Sequence, residues 1–401
     1  MKDLSRKWSD INRVDLNLRF KTKFLKSKRM RNIRNIILFL GSILSAFSNT
    51  YAQTAPDEPI RLAIVGVSHG HASFILGRKN KGDFNIVGIY EPDRDLALRY
   101  SKQYNFSPDL IFSDLNKMLD SVKPEAAVAF GSIFEHMSMV EACAPRGINM
   151  MVEKPLATNI EHARRMQALV QKYHVCLLTD FETSWYPTTA KSFQLVSDSN
   201  YVGNIRKVVI HDGHQGPKEI GVNEEFLDWL TDPLLNGGGA LIDFGCYGAN
   251  LMTYLLQGQE PVSVTAVTRH FKPEIYPKVD DEATIIVSYP SAQCIIEASW
   301  NWPFGRKDME IYGELGYIVT ENNNSMRLRH GKMEKETSIL VTPKDINVYT
   351  DPFAYFADII KGKIVMTKYD LYSLENNVLV VKILDAARES AKTGKTIFFN
   401  K

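Results

Sequence analysis

The chain reads as an α/β protein: an N-terminal doubly wound parallel sheet followed by a C-terminal α+β domain with a large, predominantly antiparallel open sheet. Three observations predict this. Short apolar runs alternate with helical patterns from residue 60 to residue 179. Beyond Trp185 the rhythm changes to consecutive β-rich runs with few helices between them. At 401 residues, with 44% hydrophobic and 23% charged composition, the chain is long enough for two cores of ordinary size.

In the first half, apolar runs at 60–67, 85–90, 126–130, 148–152 and 175–178 read as strands, and 93–104, 135–145 and 160–173 as helices. Parallel strands need long crossovers, and helices in the gaps supply them on both faces. In the second half, 205–212, 262–270, 283–288 and 293–300 read as strands, with helices over 241–256 and 373–392. Such a series implies an antiparallel or mixed sheet covered by helices on one face.

Charge is uneven. Residues 1–34 hold twelve Lys/Arg against Asp3, Asp10 and Asp15, a local +9 within a total of +2, which leaves 2 − 9 = −7 for the remainder and no sign of a nucleic-acid partner. The uncharged stretch 36–47 and small residues at Thr50 and Ala52 complete the layout of a secretory signal peptide. Twelve residues of helix span about 18 Å, short of a ~30 Å hydrocarbon core, so no stable membrane anchor is expected. Met30 begins a more ordinary leader than Met1 does. The expected organisation is a basic leader and signal peptide at 1–52, a nucleotide-binding domain at 58–180, and a substrate-binding and oligomerisation domain at 181–401. Export, to the periplasm, is expected. Cys143, Cys176, Cys246 and Cys294 are widely spaced and read as free thiols.

Gly66-Val67-Ser68-His69-Gly70-His71 follows the first strand, where a dinucleotide pyrophosphate meets a helix N-terminus. Ser68 and His71 stand where the second and third glycines of G-x-G-x-x-G would be, so the turn alone fits any tight strand-to-helix junction. Glu91 ends the second strand 25 residues after Gly66, placed to accept from adenosine ribose hydroxyls. A carboxylate there repels a 2′-phosphate and favours NAD over NADP; its alternative is an N-terminal charge for helix 93–104.

Glu153-Lys154-Pro155 closes the run at 148–152. A lysine held there can stand beside a nicotinamide ring and a substrate hydroxyl, and the positive charge of an oxidised ring is expected to lower its pKa toward proton sharing. Asp243 and Tyr247 are four apart in Asp243-Phe244-Gly245-Cys246-Tyr247, so on one helix they present a carboxylate and a phenol to one cleft. Asp243 orients substrate or Lys154, and Tyr247 with Lys154 handles the alcohol proton.

The Glu153-Lys154-Pro155 triplet, His136 ten residues after Ala126, the run from Gly237 to Asp243 and the segment Ser390-Ala391-Lys392-Thr393-Gly394 make the chain resemble the Gfo/Idh/MocA oxidoreductases over nearly all of 60–399. That family is named for glucose-fructose oxidoreductase and inositol dehydrogenase. The resemblance implies a Rossmann-type first domain and a Lys154 that approaches both nicotinamide and substrate. Tyr247 stands where many members carry histidine, a form similar to the glucose-fructose oxidoreductase and dihydrodiol dehydrogenase branches. Phe130-Gly131-Ser132-Ile133 replaces the usual Thr-Pro loop.

Around this set, His136 sits beside the nicotinamide ribose or caps a helix. His69, His71 and Glu153 join the cofactor side. His214 and Trp185 are candidates for sugar hydroxyls and a pyranose face, with Trp300 and Trp302 as further stacking aromatics. Arg306-Lys307-Asp308 reads as a solvated hairpin. His69-Gly70-His71 is the one H-x-H pair and no H-E-x-x-H occurs, so no catalytic metal is expected.

The expected activity is an NAD-dependent interconversion of a secondary hydroxyl and a ketone on a sugar, glycoside or cyclitol. Export into a compartment poor in free NAD calls for a tightly held cofactor. Two alternatives share the residues: an NAD-dependent glycosidase working by transient oxidation and elimination, and a non-catalytic sugar or nucleotide sensor. A homo-oligomer is expected, because the open sheet face needs covering.

Overall fold

The computed structural model describes residues 58–399, and the leader and signal peptide expected at 1–52 lie outside them. Strand-helix alternation holds through the first half. β1 (Ile60–Val65) leads to α1 (Ala72–Leu76), β2 (Phe84–Tyr90) to α2 (Arg94–Tyr104), and β3 (Ile111–Phe112) to α3 (Leu115–Val122). β4 (Ala126–Ala129) leads to α4 (His136–Cys143), and β5 (Asn149–Glu153) to α5 (Ile160–Tyr173) and then β6 (Leu177–Asp180). All six strands are parallel, in the order β3-β2-β1-β4-β5-β6. The order reverses between β1 and β4, which opens a crevice at the carboxyl ends of the strands.

Side-chain caps set the helix starts: Asp93 accepts from the amides of Asp95 and Leu96, Asp114 from Lys117 and Asn159 from His162. Two features depart from expectation. β3 has only two residues, too few to show a period in sequence. Helix α1 has only five, and His71 at its N-cap makes no side-chain cap bond.

The second half comprises α6 (Pro187–Ser197), β7 (Ile205–Gly213), α7 (Glu224–Leu230), α8 (Ala240–Asp243), α9 (Gly245–Leu255), β8 (Ser263–Arg269), β9 (Glu282–Ser288), β10 (Gln293–Ser299) and β11 (Arg306–Gly313). It continues with β12 (Gly316–Thr320), β13 (Ser325–His330), β14 (Thr337–Leu340), α10 (Pro352–Ile360), α11 (Leu374–Thr393) and β15 (Ile397–Phe398). Nine strands run in the order β14-β13-β12-β11-β7-β10-β9-β8-β15, antiparallel except for the β7–β10 pair.

Alternation decides which residues meet the helices. On β9, Ala283, Ile285 and Val287 are buried on the face that α8 covers, while Thr284 and Ile286 between them are only half-buried; α9 packs on β10 and β7, and α11 on β8. One hydrophobic core runs from Ile60 and Val67 in the first half through Tyr247, Ile285 and Ile383 in the second. Helix α11 joins the halves: Asp385 accepts from the Ile160 amide at 2.7 Å at the start of α5, and Ser390 Oγ accepts from the Ala266 amide at 2.9 Å on β8. Among the described residues, no helix is long and apolar enough to cross a membrane.

Candidate active site

Lys154 follows β5 and reaches across to the end of α8. Its Nζ donates to Asp243 Oδ1 at 2.5 Å and to the Asp243 carbonyl at 3.0 Å, and both side chains are buried. Asp243 Oδ2 accepts from Trp300 Nε1 at 2.9 Å. Burial alone would lower the lysine pKa, but the Asp243 carboxylate beside it raises it above its ordinary value. Burial would likewise raise the Asp243 carboxyl, and the Lys154 ammonium holds it low. In contact with Asp243, Lys154 is held as a cation and a donor; the lowering expected of it comes from the charge of an oxidised nicotinamide, which enters this balance only when the ring is bound. Trp300 is corrected, from a stacking platform to a fully buried donor that orients Asp243.

The glycine run sets the position of Asp243. A Cβ on Gly239 would lie 1.8 Å from the Asp280 carbonyl oxygen, so only glycine permits this approach. Asp280 then accepts from the amides of Gly239, Ala240 and Leu241 and pins the start of α8. The single helix expected over 241–256 is broken at Phe244, so Asp243 ends α8 and Tyr247 lies in α9. Both still reach Lys154, whose Nζ is 5.3 Å from the Tyr247 ring centroid.

Tyr247 is almost fully buried, and burial with nearby Glu182 and Asp212 pushes its phenol well above the usual range. Its hydroxyl lies 3.5 Å from Lys307 Nζ, and Lys307 also pairs with Glu182. Lys307 is therefore not part of a solvated hairpin. It sits on β11 in phase with the buried Met309 and Ile311, and that alternation is the signal that would have placed it inside. Asp212 follows the same rule on β7 with Val208 and Ile210; it is buried, and its Oδ1 has no partner among the described residues. Burial holds the Asp212 carboxyl well above its normal range.

The expected site residues fall into three cavities. Lys154, Asp243, Tyr247, His214, His69, His71, Lys307 and Glu182 line one of about 500 Å³. His214 packs edge-on against Phe244, and its Nδ1 accepts from the Gly216 amide at 2.9 Å. Trp185 is not with them: it lines a neighbouring cavity of about 650 Å³, its ring stacked on Tyr372 and its Nε1 donating to Asp180 at 2.7 Å. His71, Glu153 and Glu182 also line that second cavity.

Gly66, Ser68, Glu91 and His136 line a third pocket of about 90 Å³ in the crevice between β1 and β4. Gly66 has φ +76, and a Cβ there would lie 2.7 Å from the Gly131 amide nitrogen, so the first turn presses on the loop that replaces the Thr-Pro sequence. Glu91 accepts from the amides of Val67 and Asp93, both at 3.0 Å, and so ties the first turn to the residue that caps α2. His136 donates through Nδ1 to the Leu156 carbonyl, 3.1 Å away, while its buried Nε2 has no partner among the described residues. Burial lowers the His136 pKa to about 4, which keeps it neutral.

The two turn histidines face the larger cavities. His69 is buried against Phe226 and Trp229, its pKa lowered to about 3 by burial, and its Nδ1 accepts from the His71 amide at 3.0 Å. His71 Nδ1 lies 3.0 Å from Glu153 Oε1. Burial works against this charge pair, yet Glu153 raises His71 and His71 in turn lowers Glu153. His69, His71 and Glu153 bring ligand-type atoms within 4.8 Å of one another, a grouping hidden in sequence because Glu153 lies 82 residues beyond His71.

These residues fit a nicotinamide dinucleotide. The crevice lies at the switch point of the sheet, Glu91, Ser68 and His136 line it, and His136 carries a buried Nε2 without a partner among the described residues. At about 90 Å³ the pocket is smaller than the ~300 Å³ of typical small ligand sites. The amides of Val67, His69 and His71 are already engaged, by Glu91, the Phe130 carbonyl and His69, which corrects the simple phosphate cradle expected of this turn.

Comparison with known proteins agrees with this architecture. Residues 60–181 match the family described as "Oxidoreductase family, NAD-binding Rossmann fold", and residues 193–319 match the GFO/IDH/MocA C-terminal domain. The chain is 22% identical over 363 residues to D-xylose 1-dehydrogenase [NADP(+)] of Haloarcula marismortui, covering 86% of this chain and 94% of the relative. It is 26% identical over 324 residues to trans-1,2-dihydrobenzene-1,2-diol dehydrogenase of Xenopus laevis, covering 77% and 90%. Its fold is similar to that of an inositol dehydrogenase homolog complexed with NAD+ from Azotobacter vinelandii, with a TM-score of 0.74, 16% identity, and coverage of 86% and 98%. With both halves matched in order along one chain, the protein belongs to the Gfo/Idh/MocA family of NAD(P)-dependent oxidoreductases.

Proposed function

We propose that the protein is an exported, NAD-dependent oxidoreductase that interconverts a secondary hydroxyl and a ketone on a sugar, glycoside or cyclitol, with its nucleotide tightly held. The observation that carries this is the buried Lys154–Asp243 pair opening on a 500 Å³ cavity beside the Tyr247 phenol. Asp243 fixes the ammonium, Lys154 donates to the reacting oxygen and stabilises negative charge on it, and Tyr247 exchanges the alcohol proton. His214 supplies a further polar contact in the same cavity. Gly66, Ser68 and Glu91 would hold the adenosine side of the cofactor, and His136 its nicotinamide ribose, with His69, His71 and Glu153 on the same nicotinamide side. When bound, nicotinamide supplies the hydride acceptor or donor.

Glu91, with Glu135 beside it in the pocket wall, makes a 2′-phosphate unwelcome, which supports NAD over NADP. The layout of residues 1–52 supports export to the periplasm, and the half-exposed sheet face, with Val267 and Phe398 largely exposed, supports a homo-oligomer. The test is to denature the purified protein, identify any released nucleotide by mass, and screen glycosides and cyclitols with the native protein. NAD or NADH at near-stoichiometric amounts, with a matching absorbance change on substrate addition, is the expected result. Release of NADP(H) instead would overturn the cofactor choice. Glycoside cleavage without net NADH would move the reading to redox-neutral elimination.

A further inference from the structure

Lys154 commits two of its three N–H donors to Asp243 and keeps the third for the reacting oxygen, so Tyr247 needs another partner. Lys307 is placed differently. Its Nζ is 3.5 Å from the phenol oxygen and 4.7 Å from the ring centroid, and Glu182 anchors it from the other side. Lys307 also lines the cavity that holds Lys154, Asp243 and Tyr247, and it points there because its parity on β11 puts it on the helix-covered face.

We propose that Lys307 is the positioning residue for Tyr247: its N–H occupies a lone pair of the phenol oxygen and its charge stabilises the phenolate, so that the remaining valence of that oxygen faces the substrate hydroxyl. This rests on the oxidoreductase reading of the site. In the oxidation direction the alcohol O–H bond breaks and its proton forms an O–H bond on the Tyr247 phenolate, while the carbinol C–H bond breaks and its hydride would pass to the nicotinamide of the oxidoreductase reading; in reduction both return.

The surroundings of the phenol require such a partner. Glu182 follows β6, Asp212 lies on β7, and Asp243 and Cys246 come from α8 and α9. Burial first, then these groups, raise the phenol pKa well above its usual range, so a phenolate formed during turnover depends on a cation in contact with its oxygen. On the cationic side stand Lys154, which is clamped, and Lys307, which is within reach of the oxygen. Glu182 lines both large cavities, so it keeps Lys307 against the phenol while leaving the substrate side open.

The experiment compares wild type, Lys307→Met, Lys307→Gln and Lys307→Arg as nucleotide-loaded full-length proteins, measuring kcat for alcohol oxidation against pH, nucleotide content and thermal midpoint. Loss of the charge is expected to lower kcat by about 10²–10⁴-fold and to move the rising limb of the profile to higher pH, with nucleotide content unchanged. Arginine keeps both charge and donor and should restore most of the rate with the wild-type limb. Lys307→Gln carries the same reading if the Met variant does not fold. A neutral variant with wild-type kcat and limb overturns the inference while the reaction stands. A wild-type protein that oxidises no alcohol sinks the reaction itself, and this inference with it.

Discussion

Asp243→Asn should cost about 3–5 kcal/mol of stability and reduce turnover by about 10²-fold or more. Both members of the Lys154–Asp243 pair are buried, so the change leaves an ammonium in a low-dielectric site without its counter-charge. The Trp300 indole can still donate to the amide oxygen, so packing is nearly preserved and the loss is electrostatic. Burial, no longer opposed, then lowers the Lys154 pKa and removes the fixed cation at neutral pH. Lys154→Met strands Asp243 in the same way. The double variant should recover much of the stability, because neither charge is left unpaired, and none of the activity. Denaturant unfolding of the four proteins beside their turnover decides the matter; an active double variant would remove the pair from the mechanism.

The pH dependence of this pair has a definite sign. Asp243 is lowered, so its contribution is present above the unfolded value of about 4 and lost as pH falls through the folded one. Lys154 is raised, so its contribution is present below the unfolded value of about 10 and lost as pH rises through the folded one. The pair therefore stabilises fully between those limits.

Gly239→Ala is the second large effect. The new Cβ would lie 1.8 Å from the Asp280 carbonyl oxygen and under 3 Å from its carbon and nitrogen, so backbone must move. That movement breaks contacts to the amides of Gly239, Ala240 and Leu241 and frees the start of α8. Overpacking and three lost hydrogen bonds together cost about 3–7 kcal/mol. Displacing Asp243 by even ~1 Å should lower the activity of whatever folds by about 10²-fold. Gly305→Ala, which meets nothing within 4 Å, is the control and should stay within about 0.5 kcal/mol of wild type. Comparable thermal midpoints for the two variants would show that the glycine run does not set the site.

Residues that declare themselves by local pattern were legible in sequence. Strands β1, β2, β4, β5 and β6 show as apolar runs because both faces of a parallel sheet are buried, and α2 and α5 show through period and polar caps. Strand β3, with two residues, gives no period, and the break at Phe244 follows from tertiary contacts at the glycine run, not from propensity. Lys154, Asp243 and Tyr247 were found through motifs, but the Lys154–Asp243 contact spans 89 positions and no local rule reports it. The Asp243 contribution to the Lys154 pKa was invisible in sequence for that reason. Lys307 and Asp212 were hidden differently: each is a charged residue on an inward strand position, where parity pointed inside and composition pointed outside. Trp185 failed as a partner for the Lys154 cavity because its ring and nitrogen are engaged by Tyr372 and Asp180.

Helix α11 limits how far the two halves can be treated as interchangeable modules. Besides its Asp385 and Ser390 contacts, its Arg388 donates to the carbonyls of Thr158 and Gly237, one from each half of the described chain. A chain ending before Leu374 would lose the Asp385 contact at the start of α5 and the cover of β8 together. The nucleotide-binding half is thus no autonomous cassette, and a chimera that borrows it from a relative must bring along a matching last helix.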